Sequence, residues 1–241
     1  MKTIAIKSFK ISLFLSTLFF ITQLAYAQDC GKFYPFNEGA VMEFTSYDKK
    51  DKPAGRMIYK VSDVKDTPEG KKATIDFELY DKKDDKVDFG ESGSTEFSVQ
   101  CNGEKTMIDM ESMMLGNPML SSYEGMEINM EGNHIMIPNQ LNTGSVLPDA
   151  DLKITVNTGV MNINMTSRIF NRKVIGQEKI TTDAGSFETY IISYDTEFKM
   201  GATRKSSGKQ WIAENVGLVK EELYNKKGKL TGSTKLTNLE K

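Results

Sequence analysis

Lys72-Ala73-Thr74-Ile75-Asp76-Phe77-Glu78-Leu79-Tyr80 sets Ala73, Ile75, Phe77 and Leu79 at every second position, between polar or charged neighbours. Successive side chains of a β-strand point to opposite faces, so this spacing predicts a strand with one buried and one wet face. Working outward, similar patterns recur over residues 41–47, 57–61, 97–101, 126–130, 152–156, 161–165, 187–194, 211–213, 219–223 and 230–236. Turn formers separate them: Asp51-Lys52-Pro53, Asn102-Gly103, Gly132-Asn133, Ala184-Gly185 and Lys227-Gly228. Short sequential strands joined by tight turns predict an antiparallel meander. One wet and one apolar face per strand predicts an all-β fold, a strongly curved antiparallel sheet forming a half-barrel or open barrel around its own core.

Little helix is expected. Only residues 110–120 suit a helical turn or two, and Gly116-Asn117-Pro118 would end them. The charged clusters at 48–52, 81–86 and 226–229 lie between alternating runs and read as solvated hairpin turns.

The first 27 residues have a different character. Lys2, Lys7 and Lys10 precede an apolar run over residues 11–24, and Ala25-Tyr26-Ala27 follows. A basic end, a short apolar stretch and small residues at −3 and −1 form a cleavable export signal, with Gln28 opening the mature chain. Residues 28–241 are then expected to be a single β-rich domain, periplasmic or secreted, with no stable membrane span. Gln28-Asp29 before Cys30 disfavours lipoprotein processing, which wants small residues there. In an oxidising compartment the only two cysteines, Cys30 and Cys101, are expected to pair. Closing that loop would stabilise the fold by about 4 kcal/mol on a chain-entropy model. Two buried thiols or a metal pair are the rival readings, weakened because His134 is the single histidine. Cleavage removes three of the 31 basic residues and none of the 33 acidic ones, leaving a balance of −5 that argues against nucleic acid as a partner.

Several stretches together carry a family resemblance: Phe33-Tyr34-Pro35-Phe36-Asn37-Glu38-Gly39, Ile169-Phe170-Asn171-Arg172-Lys173-Val174, Thr181-Thr182-Asp183-Ala184-Gly185-Ser186-Phe187 and Gly217-Leu218-Val219-Lys220-Glu221-Glu222. Over essentially the whole mature chain the sequence resembles the TapB-like family of exported bacterial proteins, a domain of unknown function. The resemblance implies no catalytic residues and no ligand. Its wider relatives are similar to half-barrel lipoprotein carriers of the bacterial envelope, which implies a curved sheet able to hold acyl chains. The residues also make sense locally. Gly185 allows a turn into a strand at Phe187, and Asn215-Val216-Gly217 offers another turn.

Methionine is concentrated: eight of 14 fall at Met107, Met110, Met113, Met114, Met119, Met126, Met130 and Met136. Three readings stay open. Methionine fills irregular core space; it also makes pliable apolar surface for a lipid or partner; and Met107, Met110 and Met113 at three-residue spacing would put thioethers on one helical face for Cu(I). In the ligand-binding reading Met107, Met110, Met113, Met114, Met119, Met126 and Met130 form a flexible flap over the ligand.

Catalytic patterns are weak. His134 sits beside Gly132-Asn133 and reads as a surface histidine at a hairpin. Gly90-Glu91-Ser92-Gly93 lacks the spacing of a nucleophile elbow. Asp84-Asp85 and Glu221-Glu222 are neighbours whose side chains face opposite ways on a strand. Trp211 is expected in the core or at its rim. The sequence therefore predicts a non-enzymatic binding protein, without cofactor or metal, that takes up an apolar small molecule or lipid by burial. The alternative is an interaction protein docking another envelope protein through edge strands or loops.

Overall fold

A computed structural model describes residues 30–89, 95–115, 117–123 and 125–241. The export-signal reading of residues 1–27 and the Gly90-Glu91-Ser92-Gly93 reading lie outside these described residues.

The elements in chain order are β1 (Val41–Asp48), β2 (Pro53–Thr67), β3 (Gly70–Tyr80), β4 (Glu96–Cys101), β5 (Lys105–Ile108), α1 (Met110–Leu115), α2 (Pro118–Ser121), β6 (Glu127–Gly132), β7 (Ile135–Pro138), β8 (Ala150–Asn157), β9 (Asn162–Thr182), β10 (Gly185–Met200), β11 (Ala202–Ala213), β12 (Gly217–Asn225) and β13 (Leu230–Glu240). The alternation that opens the sequence reading is the β3 strand: Ala73 and Ile75 are fully buried and Phe77 nearly so, with the intervening residues wetter.

All thirteen strands make one antiparallel sheet in the order β6-β8-β9-β10-β11-β12-β13-β1-β2-β3-β4-β5-β7. Most neighbours are consecutive hairpins, as a meander requires. The exceptions are β6–β8 and β5–β7 at the edges and the centre, where β13 pairs along β1 from Val41–Glu240 to Asp48–Gly232. The outermost strands, β6 and β7, are consecutive in sequence, with only Asn133 and His134 between them. Three Cα steps reach at most about 11 Å, so the sheet curls until its two edges meet at that corner. It stays open, because β6 pairs with β8 and β7 with β5 rather than with each other.

This corrects the hairpin expected at Gly132-Asn133. Asn133 N–H donates to Asp151 O (3.0 Å) and Asp151 N–H to Asn133 Oδ1 (2.7 Å), so the link is tied to the start of β8 instead of folding β7 back on β6.

Cys30 and Cys101 are disulfide-bonded, with Cα atoms 5.3 Å apart. The bond fixes the segment before β1 against the end of β4. Lys32 N–H donates to Asn139 Oδ1, and Asn215 N–H donates to Lys32 O, so the segment lies across an end of the sheet and buries Phe33 and Tyr34 there. At the other side, Met110 and Leu120 from the two short helices pack on Leu152, Ile154, Val156 and Met165. Asn117 caps the start of the second helix: its Oδ1 accepts from Met119 N–H, with Pro118 in the first turn.

Candidate internal ligand site

The inward faces of the curled sheet enclose a cavity of about 400 Å³, toward the lower end of the roughly 300–1,000 Å³ usual for ligand sites. Its walls are mainly apolar. Phe33, Met42 and Phe44 are buried floor residues; Met57, Tyr59, Phe97, Ile108 and Leu218 continue the wall; Met113 and Leu223, each 39% exposed, bring the lining to the surface. Phe44, Phe77 and Phe97 pack around Tyr59 with ring centroids 5.4–6.3 Å apart, a rigid aromatic wall.

A polar stripe crosses this wall. Arg172 on β9, Tyr194 on β10, Gln210 on β11, Glu221 on β12 and Thr234 on β13 all line the cavity. Tyr194 O–H donates to Glu221 Oε1 at 2.6 Å, and Gln210 Nε2 donates to the same oxygen at 2.8 Å. Gly208, which pairs with Tyr194, makes that reach possible. A Cβ at Gly208 would lie 2.2 Å from Tyr194 Cζ, so the missing side chain is the bed on which the phenol lies. Burial and the neighbouring Glu221 carboxylate push the Tyr194 phenol far above its ordinary range. Burial lifts Tyr59 to about 12.

Arg172 owes its inward position to a bulge. The pairing of β9 with β10 shifts between Ser193 and Asp195, and Asn171 takes a left-handed φ of 53°. Before the bulge the odd-numbered residues Ile163, Met165 and Ile169 face inward; after it the even-numbered Arg172 and Val174 do. One inserted residue thus exchanges the faces of the strand and turns a guanidinium into the interior. Asn171 suits the position, since its side chain tolerates left-handed backbone and here donates from Nδ2 to Asp195 Oδ2 at 2.8 Å.

Arg172 is 2% exposed. Its Nη1 donates to Met136 O on β7 (2.9 Å) and to Pro148 O ahead of β8 (2.8 Å), so it spans the seam between the two edges of the sheet. Among the described residues no carboxylate lies within ion-pair distance of it. Burial drives its pKa down to about 10, against a smaller opposing pull from Asp149. Tyr34, also on the lining, buries an Oη with no hydrogen-bond partner among the described residues, and burial raises its phenol well above the usual range.

Of the methionines read as a flap, Met113 lines the cavity. Met110 is buried, and Met114, Met119 and Met130 pack against the same cluster beneath the helices. Met107 pairs with Met136 on the edge strands, and Met126 is 40% exposed. His134 Nδ1 lies 3.6 Å from Asp109 Oδ1 at the corner between β6 and β7. Trp211 is buried and donates to Glu178 Oε2 at 2.9 Å. Sequence reading missed the polar stripe. Its available signal was Asn171-Arg172, two polar residues at adjacent positions where strand alternation demands one apolar residue.

Comparison with known proteins places this geometry. The family model described as DUF3108-like matches residues 37–236. A crystal structure from Bacteroides fragilis, of a protein assigned as exported and given a YmcC-like fold, superposes with a TM-score of 0.69 at 22% identity. It covers 88% of this chain and 100% of the other. A second, from Parabacteroides distasonis, is of a protein assigned as a lipoprotein; it gives a TM-score of 0.70 at 25% identity with the same coverage. Among curated proteins none matches this chain.

Proposed function

The chain belongs to the DUF3108-like family, and from that premise we propose that it is an exported envelope protein which holds an apolar or lipid-like ligand inside its curved sheet without transforming it. The observation that carries this reading is the cavity itself: about 400 Å³, walled by Phe33, Met42, Phe44, Tyr59 and Phe97, and reaching the surface at Met113 and Leu223. Filling such a space with alkyl surface stabilises the complex by about 25 cal/mol per Å² of apolar area removed from water, before the costs of association. The assignment of one solved neighbour as exported and of the other as a lipoprotein supports an envelope setting, periplasmic or at the cell surface. Met113 is the member of the methionine segment placed to act as a pliable lip.

The test is titration of the purified protein with a neutral, environment-sensitive naphthylamine dye. The wild type is expected to enhance its fluorescence saturably at one site, and Leu218→Trp, which projects bulk from the wall into the cavity, to abolish the enhancement while keeping the melting transition. Equal enhancement in both proteins would place the dye elsewhere and overturn the cavity reading.

A further inference from the structure

The cavity lining carries charged and polar groups as well as apolar ones. Glu221 Oε1 already accepts from Tyr194 and Gln210. Among the described residues, Arg172 is the one cation on the lining. A guanidinium carries five N–H bonds, and both hydrogens of Arg172 Nη1 are taken by Met136 O and Pro148 O. The hydrogen bonds of Arg172 run through Nη1 among the described residues, and Tyr34 Oη is buried without a partner there. Nε and Nη2 form the side-on edge that grips a carboxylate, as Arg56 shows at the surface, where the same two atoms hold Asp84 Oδ1 at 3.1 and 2.8 Å. Arg172 lines the cavity at 2% exposure, with no carboxylate within ion-pair distance among the described residues. Burying a cation in that state costs several kcal/mol unless an anion meets it.

We infer that the cavity's ligand is a single-chain anionic amphiphile, a long-chain carboxylate, with its head on the Nε–Nη2 edge of Arg172 and its chain along the aromatic wall. The inference rests on the cavity being a ligand site. The volume, near the bottom of the usual range, fits one chain rather than two. β10 and β11 separate Arg172 on β9 from Glu221 on β12, and Glu221 Oε1 is engaged by Tyr194 and Gln210.

The experiment is displacement of the bound naphthylamine dye by dodecanoate, dodecanol and dodecyltrimethylammonium, with acetate and inorganic phosphate as headgroup controls. Since hydrogen bonds to charged groups contribute about 1.5–3 kcal/mol, dodecanoate should displace the dye at concentrations about tenfold or more below dodecanol. Arg172→Gln should erase that difference by weakening dodecanoate about tenfold more than dodecanol, and Arg172→Lys should retain part of it. The carboxyl resonance of ¹³C-labelled dodecanoate on the wild type should shift on binding, a readout that needs no variant should Arg172→Gln fail to fold. Equal displacement by dodecanoate and dodecanol, or a preference that survives Arg172→Gln, would overturn the anionic head and leave the cavity reading intact. Displacement by acetate or phosphate alone would mean a small-anion site and overturn the amphiphile. Failure of the dye and of every amphiphile to bind would overturn both readings.

Discussion

Gly208 and Tyr194 show how single residues shape the interior. With a Cβ 2.2 Å from the Tyr194 ring, Gly208→Ala forces the phenol off Glu221, and overpacking of this kind costs about 1–3 kcal/mol. A lowered denaturation midpoint with an unchanged denaturant slope is expected. The buried tyrosines also make a statement about pH. Tyr34, Tyr59 and Tyr194 have phenols raised in the folded state, Tyr59 to about 12. Unfolded, each ionises near its ordinary value of about 10. Below that pH both states are protonated and the contribution is complete; above it the unfolded chain loses protons first, so stability falls from about pH 10 toward 12. Tyrosinate absorbance should rise in two phases, the later one coinciding with unfolding; a single phase complete near pH 10 with the fold intact would contradict the burial. Tyr59 and Phe97 were legible as members of alternating runs. Arg172 was not recognisable as a site residue, because a charged residue in a strand reads as outward until the bulge is known.

That bulge belongs to the scale of the element. Asn171→Gly should be tolerated, whereas Asn171→Val must place a β-branched residue at φ 53° and should cost about 1–2 kcal/mol. Deletion of Asn171 removes the extra residue, so alternation runs unbroken from Ile169 and keeps Arg172 and Val174 inward; it loses only the tie to Asp195, and thermal denaturation should show it to be milder than Asn171→Val. The strands β3, β1 and β8 were readable because their alternation is unbroken. The 21-residue β9 was readable only in its first part, since past the bulge the faces exchange and Ile175 is 44% exposed. The disulfide was predictable from compartment and count. Replacing Cys30 and Cys101 by serine should lower stability by about 4 kcal/mol and release Phe33 and Tyr34 from the cavity wall. Denaturant midpoint and dye affinity should therefore fall together.

At the scale of the whole molecule, the sheet's curvature followed from one-sided strands, but its order did not. Nothing local in sequence announces that β13 lies beside β1, or that β6 and β7 stand at opposite edges with two residues between them. Those pairings are set by long-range packing. The methionine segment was legible as a cluster, and its division between the core under the helices and the cavity lip at Met113 depends on tertiary placement. What unites the scales is an interior left partly unfilled, with a buried guanidinium on its wall. The most direct test is native mass spectrometry of the protein purified from its own envelope, before and after organic extraction. Discrete lipid-sized adducts that vanish on extraction and are absent from Leu218→Trp are the expected result. A bare polypeptide, two mass units light for the Cys30–Cys101 bond, would contradict the account.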